Sequence, residues 1–286
     1  MRFNKYIRRK GGNSPPSTGD QLLYRTNHQT RMYKNGFRGF ISAIPPVTKN
    51  LIFINIIVWA VEAIFPRFGH TIIKVLGLHL WGAHDFNPVQ FITYLFVHAP
   101  NNPWHLLFNM FSLWMFGSIL ERVWGSKRYF MFYFVCGIGA ALVQEIVWQC
   151  TYMHDYISGI AKLNGLTYDH ARQIVDEAIA GHDKGFIQAI NMMKESFVTI
   201  GASGAVYGLL LGYAFVFPNQ PLYLFFIPYP IKAKYMMIGY GLIEFFLGLN
   251  SNDSVAHFAH LGGMLFGIII LLYWRKKGIL RGSSFY

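Results

Sequence analysis

Apolar residues along this chain are gathered into long blocks that are separated by polar and basic segments. Each block runs for about 15–20 residues, the length that a helix needs to cross about 30 Å of hydrocarbon. The pattern predicts six transmembrane spans, and these are Leu51–Phe65 (extended upstream by Val47), Trp104–Leu120, Tyr129–Trp148, Gly201–Phe217, Tyr235–Leu249 and Val255–Trp274. The fifth block is short and contains Glu244, so it fits the pattern least well. The sequence therefore predicts an all-α membrane protein, folded as a bundle of six transmembrane helices.

The composition and the placement of charge support this interpretation. Of the 286 residues, 53% are hydrophobic and 13% are charged, whereas a soluble domain has about 25% charged residues. With six spans, 19 of the 25 Lys and Arg residues fall on one side of the membrane, and eight of the 13 acidic residues fall on the other. The positive-inside rule then predicts that both termini are cytoplasmic. The net charge of +12 follows from this topology, so the expected partner is the lipid bilayer and not nucleic acid, for which there is no stacking platform or motif.

The segments outside the spans suggest a simple domain organisation. Residues 1–46 are basic and contain Gly-Gly and Pro-Pro pairs, which predicts a cytoplasmic tail that is disordered or lies on the membrane surface. Residues 276–286 are expected to form a second cytoplasmic tail. In the first outer loop, residues 91–97 are apolar and are expected to lie half-buried at the interface. Residues 150–200 show helical spacing, which predicts a pair of amphipathic helices between the third and fourth spans, acting as a packing cap or as a lid.

Several polar side chains are predicted at the outer ends of the helices, where polar residues in a membrane indicate function by default. Ser203 begins the fourth span. His105 and Asn109 are four residues apart on the second span, and His257 and His260 are three apart at the start of the sixth, so each pair shares one helix face. Three helix ends therefore bring an alcohol, imidazoles and a carboxamide to a similar depth.

Two stripes of glycine indicate how the fourth and sixth spans pack. Small residues at every fourth position allow two helix backbones to approach closely. If the stripes face each other, Ser203 and His260 come within hydrogen-bond reach at the same end. Packing alone would explain the glycines but not a serine and a histidine at the head of both stripes. The stripes consist of Gly204, Gly208 and Gly212 on the fourth span and Gly263 and Gly267 on the sixth.

This set of residue types suits nucleophilic attack on an amide. A serine hydroxyl needs a nearby base, here His260 for Ser203. The oxyanion that forms needs donors already in place, for which the Ser203 backbone N–H, the His105 imidazole and the Asn109 carboxamide are suitable. No carboxylate lies near Ser203 or His260 in the sequence, so the prediction is a dyad. Tyr207, one turn below Ser203, could pack against His260 and fix the imidazole.

A metal site is the competing interpretation of the histidines. His105, His257 and His260 could give zinc three nitrogen ligands, with water in the fourth position. The chain has no H-E-x-x-H pair and no carboxylate near these histidines in sequence to act as a general base. The expectation is therefore a site without metal or cofactor.

Four other polar residues have a structural interpretation. Glu62, Glu145 and Glu244 lie in or at the ends of three different spans. They could form a proton relay, but helix-end placement or hydrogen bonding between spans is expected instead. His98 is expected to be a hydrogen-bonding residue of the first outer loop.

Three motifs of the chain resemble those of the rhomboid intramembrane serine proteases. They are His105–Asn109 (HxxxN), Gly201–Gly204 (GxSG) and Ala259–Gly267 (AHxxGxxxG), and they fall on the second, fourth and sixth spans in the family's order. The resemblance covers roughly residues 47–275, which predicts a six-span catalytic domain over that range. Each motif alone has low specificity, but three in register with the topology are highly specific.

The resemblance implies a role for each residue. Ser203 would be the nucleophile and His260 the general base, His105 and Asn109 would line the oxyanion hole with the Ser203 N–H, and Tyr207 would stack on His260. His257 lies outside the catalytic pattern and is interpreted as structural. The glycines of the motifs would support the site, and they are Gly201, Gly204, Gly263 and Gly267.

The resemblance also implies a function and a setting. We expect a serine endopeptidase that cleaves single-span membrane proteins within or beside the membrane, with the bacterial inner membrane as the default location. The alternative is a non-catalytic rhomboid-like protein that binds membrane clients. The sequence specifies no oligomeric state. Two departures from some bacterial members, Val89-Gln90 in the first outer loop and the long insertion at 150–200, affect loop anchoring and substrate choice but not the catalytic set.

Overall fold

The structure is a computed structural model that describes residue 39 and residues 41–223, 229–250 and 256–280. Most of the predicted tail at 1–46, the end of the tail at 276–286 and the start of the sixth predicted span lie outside these residues. The described helices are α1 (Pro46–Ile64), α2 (Pro66–Leu76), α3 (Gln90–Thr93), α4 (Pro103–Ser112), α5 (Ser118–Trp124), α6 (Ser126–Asn164), α7 (Tyr168–Ala180), α8 (Lys184–Ser196), α9 (Ser203–Val216), α10 (Ala233–Asn250) and α11 (His257–Lys276). A 3-10 turn at Tyr94–Phe96 follows α3, and a π-helical turn at Leu113–Gly117 joins α4 to α5.

Two short antiparallel strand pairs tie loops together. Strand β1 (Leu78–His79) pairs with β2 (Val198–Thr199), so the first outer loop is joined to the segment before α9. Strand β3 (Pro221–Leu222) pairs with β4 (Ile231–Lys232) between α9 and α10.

The all-α membrane bundle is confirmed. Among the described residues, four helical segments are long and apolar enough to cross a membrane, namely α1, the continuous α4–α5 segment, α6 and α11. Helix α9 is also apolar but has only 14 residues. Helix α10 has 18 residues and carries Lys234 and Glu244. Prolines begin α1, α2 and α4 at their first turns, where a missing N–H leaves no bond unmade.

Helix α6 extends well beyond its predicted end. It runs for 39 residues without interruption and stops where Gly165 adopts a left-handed conformation with φ of 64°. The predicted pair of amphipathic helices is confirmed as α7 and α8, capped at their N-termini by the side chains of Thr167 and Asp183. The pair and the far part of α6 share a small core that is separate from the core of the bundle. That core is built on Ile157, Ala161, Ala171 and Val175.

The prediction for residues 91–97 is wrong in part, because the segment enters the core. Tyr94, Leu95 and Val97 are at most 1% exposed, and only Ile92 is largely exposed. The Tyr94 hydroxyl donates to the carbonyl of Gly137 on α6 at 2.7 Å. A run of apolar side chains does not distinguish a membrane interface from a protein core, since both bury apolar surface.

Gln90, which belongs to the Val89-Gln90 departure in the first outer loop, anchors that loop. Its side chain is 1% exposed. The Oε1 atom accepts from the backbone N–H groups of His79 and Asn87, and Nε2 donates to the carbonyls of Val75 and Asp85. One buried amide therefore holds together four points of the loop.

Helices α9 and α11 pack backbone to backbone through glycine, as predicted. A Cβ atom on Gly263 would lie 1.8 Å from the carbonyl oxygen of Gly204, and one on Gly267 would lie 3.5 Å from the Cα atom of Gly208. Gly212 belongs to a different contact, because it faces α5. The two helices, together with α6, form the centre of the bundle.

The buried carboxylate of Glu121, near the C-terminal end of the α4–α5 segment, joins three helices. The Glu121 side chain accepts hydrogen bonds from the backbone N–H groups of Val47 and Thr48 and from the hydroxyls of Thr48 and Ser126, at 2.7–3.0 Å. The first turns of α1 and α6 are thereby held to α5. Glu121 therefore fixes the starts of both α1 and α6, and neither helix start has a separate cap residue.

Candidate active site

Ser203 is the first residue of α9, and the two residues before it form a tight turn. Gly201 has φ of +118°, a backbone conformation that residues with a Cβ atom rarely adopt. Its N–H donates to the carbonyl of Tyr94 at 2.9 Å. The buried first outer loop therefore fixes the turn that presents Ser203, at a helix end whose free N–H groups favour negative charge.

His260 meets the Ser203 hydroxyl. Its Nε2 atom lies 2.8 Å from Ser203 Oγ. The ring is stacked on Tyr207, with centroids 4.2 Å apart and planes inclined by 8°. His260 is 7% exposed, so the pair sits in a largely dehydrated pocket in which hydrogen bonds are stronger than in water. The predicted approach of the two atoms is thus observed, as is the predicted ring contact.

His105 and Asn109 lie on α4 beside the serine. A Cβ atom on Gly201 would lie 2.7 Å from His105 Nε2 and 3.9 Å from Ser203 Oγ, so the imidazole and the hydroxyl face the same small space. The Asn109 side chain is buried and donates from Nδ2 to the carbonyl of His105 at 2.8 Å. A carboxamide nitrogen has two N–H bonds, so this contact fixes the amide and leaves it one further donor.

A carboxylate lies beside the pair, contrary to the prediction of an isolated dyad. Glu244 Oε2 is 3.0 Å from His260 Nδ1 and 2.6 Å from His257 Nδ1. Its Oε1 atom accepts from the Tyr207 hydroxyl. Among the described residues, the Nδ1 atom of His260 has no well-directed hydrogen-bond partner, so its approach to Glu244 is a close polar contact. Glu244 is not a close neighbour of His260 along the chain, so proximity in sequence did not indicate this contact.

The position of Glu244 follows from helix packing. It lies in the last two turns of α10, whereas His257 and His260 lie in the first turn of α11. Two successive helices that pack against each other bring these turns to the same end. The signal in the sequence was the carboxylate itself, since an ionisable residue in an apolar span is costly and indicates a partner.

The other two membrane carboxylates make local hydrogen bonds. Glu145 accepts from the backbone N–H of Trp81 at 2.8 Å, and Glu62 from that of His98 at 3.4 Å. Both bonds run to loop N–H groups and not to another span, and Glu62 lies near the end of α1, as expected for helix-end placement.

The three histidines of the metal hypothesis do not converge. Within the described part of the chain, the ligand atoms that could share a metal ion are those of Glu244, His257 and His260, which lie within 4.8 Å of one another. His105 lies outside this group. The arrangement joins two of the histidines to a carboxylate that the sequence did not associate with them.

His98 differs from its prediction as a hydrogen-bonding loop residue. It is fully buried, and neither ring nitrogen makes a well-directed hydrogen bond within the described part of the chain. Its ring instead contacts that of His105, with centroids 5.0 Å apart. Burial lowers the pKa of His98 to about 3, and charge repulsion from His105 adds to this effect. His98 is therefore a neutral ring that packs behind His105.

Fold and site together define a helical membrane protein with a part-buried serine–histidine pair at the head of two glycine-packed helices. A family model described as the rhomboid domain matches residues 85–277, more than half of the chain. The chain belongs to the rhomboid family, which includes intramembrane proteases.

Three relatives illustrate the range of the family. The chain is similar to Rhomboid protein 1, mitochondrial, of Saccharomyces cerevisiae, at 24% identity over 96% of this chain and 68% of the relative. It is similar to Rhomboid protease GlpG of Haemophilus influenzae at 23% identity, over 71% of this chain and 78% of the relative. It also matches Rhomboid-like protein 11, chloroplastic, of Arabidopsis thaliana at 27% identity, over 77% of this chain but only 62% of the relative's length.

Proposed function

We propose that this protein is an intramembrane serine endopeptidase that cleaves transmembrane or membrane-proximal segments of other membrane proteins. The observation that carries the proposal is the 2.8 Å contact between Ser203 Oγ and His260 Nε2 at the N-terminus of α9. The contact supports general-base activation of the serine. Membership of the rhomboid family supports the same reaction class.

In the proposed reaction, Ser203 Oγ attacks the carbonyl carbon of the scissile peptide bond. The hydroxyl proton passes to His260 Nε2, the new Oγ–C bond forms, and the carbonyl electron pair moves to oxygen. The resulting oxyanion would be stabilised by the Ser203 N–H, by the imidazole of His105 and by the free N–H of Asn109. Collapse of this intermediate breaks the C–N bond, and the leaving amine takes the proton from His260. Water then hydrolyses the acyl-enzyme by the same route.

The neighbouring side chains support this chemistry. Stacking on Tyr207 restricts the His260 ring to one plane. The turn at Gly201 allows the His105 imidazole to approach the serine, since a larger residue there would collide with it. Preorganised groups of this kind stabilise a transition state without reorganising during the reaction.

The substrates and the setting are part of the proposal. We propose single-span membrane proteins as substrates, hydrolysed without a metal or cofactor. The charge distribution supports cytoplasmic termini. A bacterial inner membrane is the proposed location, which the bacterial relative supports, while two other relatives carry mitochondrial and chloroplastic names. Fusions of alkaline phosphatase to each terminus and to α7 would test the topology.

The test of the activity is co-expression with a tagged single-span reporter. The intact protein is expected to cleave the reporter and to react with a fluorophosphonate, and Ser203→Ala and His260→Ala are expected to abolish cleavage. Ser118→Ala removes another buried hydroxyl of the bundle and serves as the matched control, which should cleave normally. Cleavage that survives Ser203→Ala would refute the proposal. Capture of the reporter without cleavage by the intact protein would favour the client-binding alternative.

A further inference from the structure

We infer that Glu244 is a positioning residue for His260, so that the site works as a Ser203–His260–Glu244 triad and not as a dyad. This inference rests on the proposed function, because it assigns a role in that reaction. The carboxylate approaches the ring nitrogen of the imidazole that does not contact the serine. Its Oε2 atom lies 3.0 Å from Nδ1 of His260, while Nε2 of the same ring lies 2.8 Å from Ser203 Oγ.

The first consequence concerns the tautomer of His260. A neutral imidazole has one N–H and one lone pair, and a general base needs its lone pair on the nitrogen that faces the nucleophile. A carboxylate only accepts hydrogen bonds, so Glu244 favours the form in which Nδ1 carries the proton. That form leaves the lone pair of Nε2 directed at Ser203. Stacking on Tyr207 sets the plane of the ring but does not choose between the two nitrogens.

The second consequence concerns charge during the reaction. When the Ser203 proton reaches Nε2, His260 becomes a cation beside the Glu244 carboxylate, and the buried pair changes from a net charge of −1 to zero. The Glu244 side chain is only 8% exposed and that of His260 only 9%. Attraction between opposite charges is strong where water is scarce, so the transition state is stabilised more than the ground state.

The other contacts of Glu244 hold the carboxylate in place. The Tyr207 hydroxyl donates to Oε1, and His257 Nδ1 lies 2.6 Å from Oε2. Glu244 therefore joins α9, α10 and α11 at the level of the serine. His257, which the sequence suggested to be structural, acts in this arrangement by fixing Glu244.

The test is Glu244→Gln in the full-length protein, assayed with the reporter and the fluorophosphonate. Glutamine has nearly the same shape but offers one acceptor oxygen to three donors, and its amide can present N–H to Nδ1 and stabilise the wrong tautomer. We expect kcat to fall by about 100-fold or more, as is typical when the orienting acid of a triad is neutralised. We expect KM to change by less than about threefold, since the substrate does not touch Glu244. The rate of fluorophosphonate labelling should fall with kcat.

Two further variants separate positioning from a structural role. Glu244→Asp keeps the charge and should recover part of kcat, which loss of folding would not allow. Glu145→Gln is the matched control, because it neutralises a buried carboxylate of the bundle that bonds to a loop N–H, and it should leave kcat unchanged. In a His260→Ala background, Glu244→Gln should have no further effect on residual labelling, since it acts through His260.

The inference is overturned if Glu244→Gln folds and labels at the rate of the intact protein, or if it slows labelling equally with and without His260. If Glu244→Gln does not fold, Glu244→Asp decides the question: a kcat below that of a Glu145→Asp control at unchanged KM supports the inference, and equal kcat overturns it. Failure of the proposed function is distinguishable, since it would show as cleavage that survives Ser203→Ala.

Discussion

Replacing Gly263 by alanine is expected to move His260 away from Ser203, because the two glycine stripes leave no room for a methyl group. The added Cβ would lie 1.8 Å from the carbonyl oxygen of Gly204, whereas ordinary contact begins at 3.4 Å. If the whole difference is taken up by separation of α9 and α11, the backbones part by about 1.6 Å and the contact between Ser203 and His260 lengthens to about 4.4 Å, beyond hydrogen-bond range. A misplacement of this size reduces catalysis by about 100-fold, and overpacking costs about 1–3 kcal/mol of stability.

The assay is the rate of fluorophosphonate labelling of purified protein, measured beside the thermal unfolding midpoint. Gly267→Ala is the matched control, since it lies one turn further along α11 and its Cβ would make ordinary contacts at 3.4–3.5 Å. This control should retain its labelling rate and its unfolding midpoint. Normal labelling by Gly263→Ala would refute the reasoning, as would equal losses in the two variants.

Two further predictions concern stability. Glu121→Gln leaves one acceptor oxygen for the four donors that now bond to the carboxylate, so the free energy of unfolding should fall by about 2–5 kcal/mol. Denaturation in detergent would measure this change. Glu177→Gln, at an exposed position, is the control and should change stability by less than about 0.5 kcal/mol. His98 has its pKa lowered from 6.5 to about 3, so the unfolded chain binds a proton between these values while the folded protein does not. Stability should therefore decline as pH falls from 6.5 towards 3, and His98→Phe should reduce the decline between pH 7 and pH 5. An unchanged pH dependence in that variant would show that another group is responsible.

Among the described residues, four helical segments are long and apolar enough to cross a membrane, and the sequence was sufficient to predict these, because the thickness of a bilayer imposes a length on apolar blocks. It placed the end of α6 about 16 residues too early. Beyond the hydrocarbon the helix no longer needs an apolar surface, and its sequence becomes amphipathic like that of α7 and α8. A change of pattern along a continuous helix therefore looks like an end. The core position of Tyr94 was missed for a related reason, since burial by protein and burial by lipid leave the same apolar side chains.

The Ser203–His260 contact was predictable because each residue stands at the head of a glycine stripe, and such stripes indicate which helix faces pack closely together. Glu244 has no such marker. Its distance from His260 depends on how α10 rests against α11, where Gly241 and Gly248 of α10 face the larger side chains of Met264 and Phe258. Each short motif describes residues on one helix. Glu244, the third member of the Ser203–His260–Glu244 group, lies on a different helix, α10.

The uninterrupted course of α6 has a mechanical consequence. At 1.5 Å per residue, 39 residues extend for about 58 Å, nearly twice the thickness of the hydrocarbon layer. Because α7 and α8 are packed on its far part, a tilt of the rod by about 10° would carry that end sideways by about 10 Å, which is the width of a helix. Bilayers of different thickness impose different tilts, so the thickness of the surrounding bilayer would set the lateral position of α7 and α8.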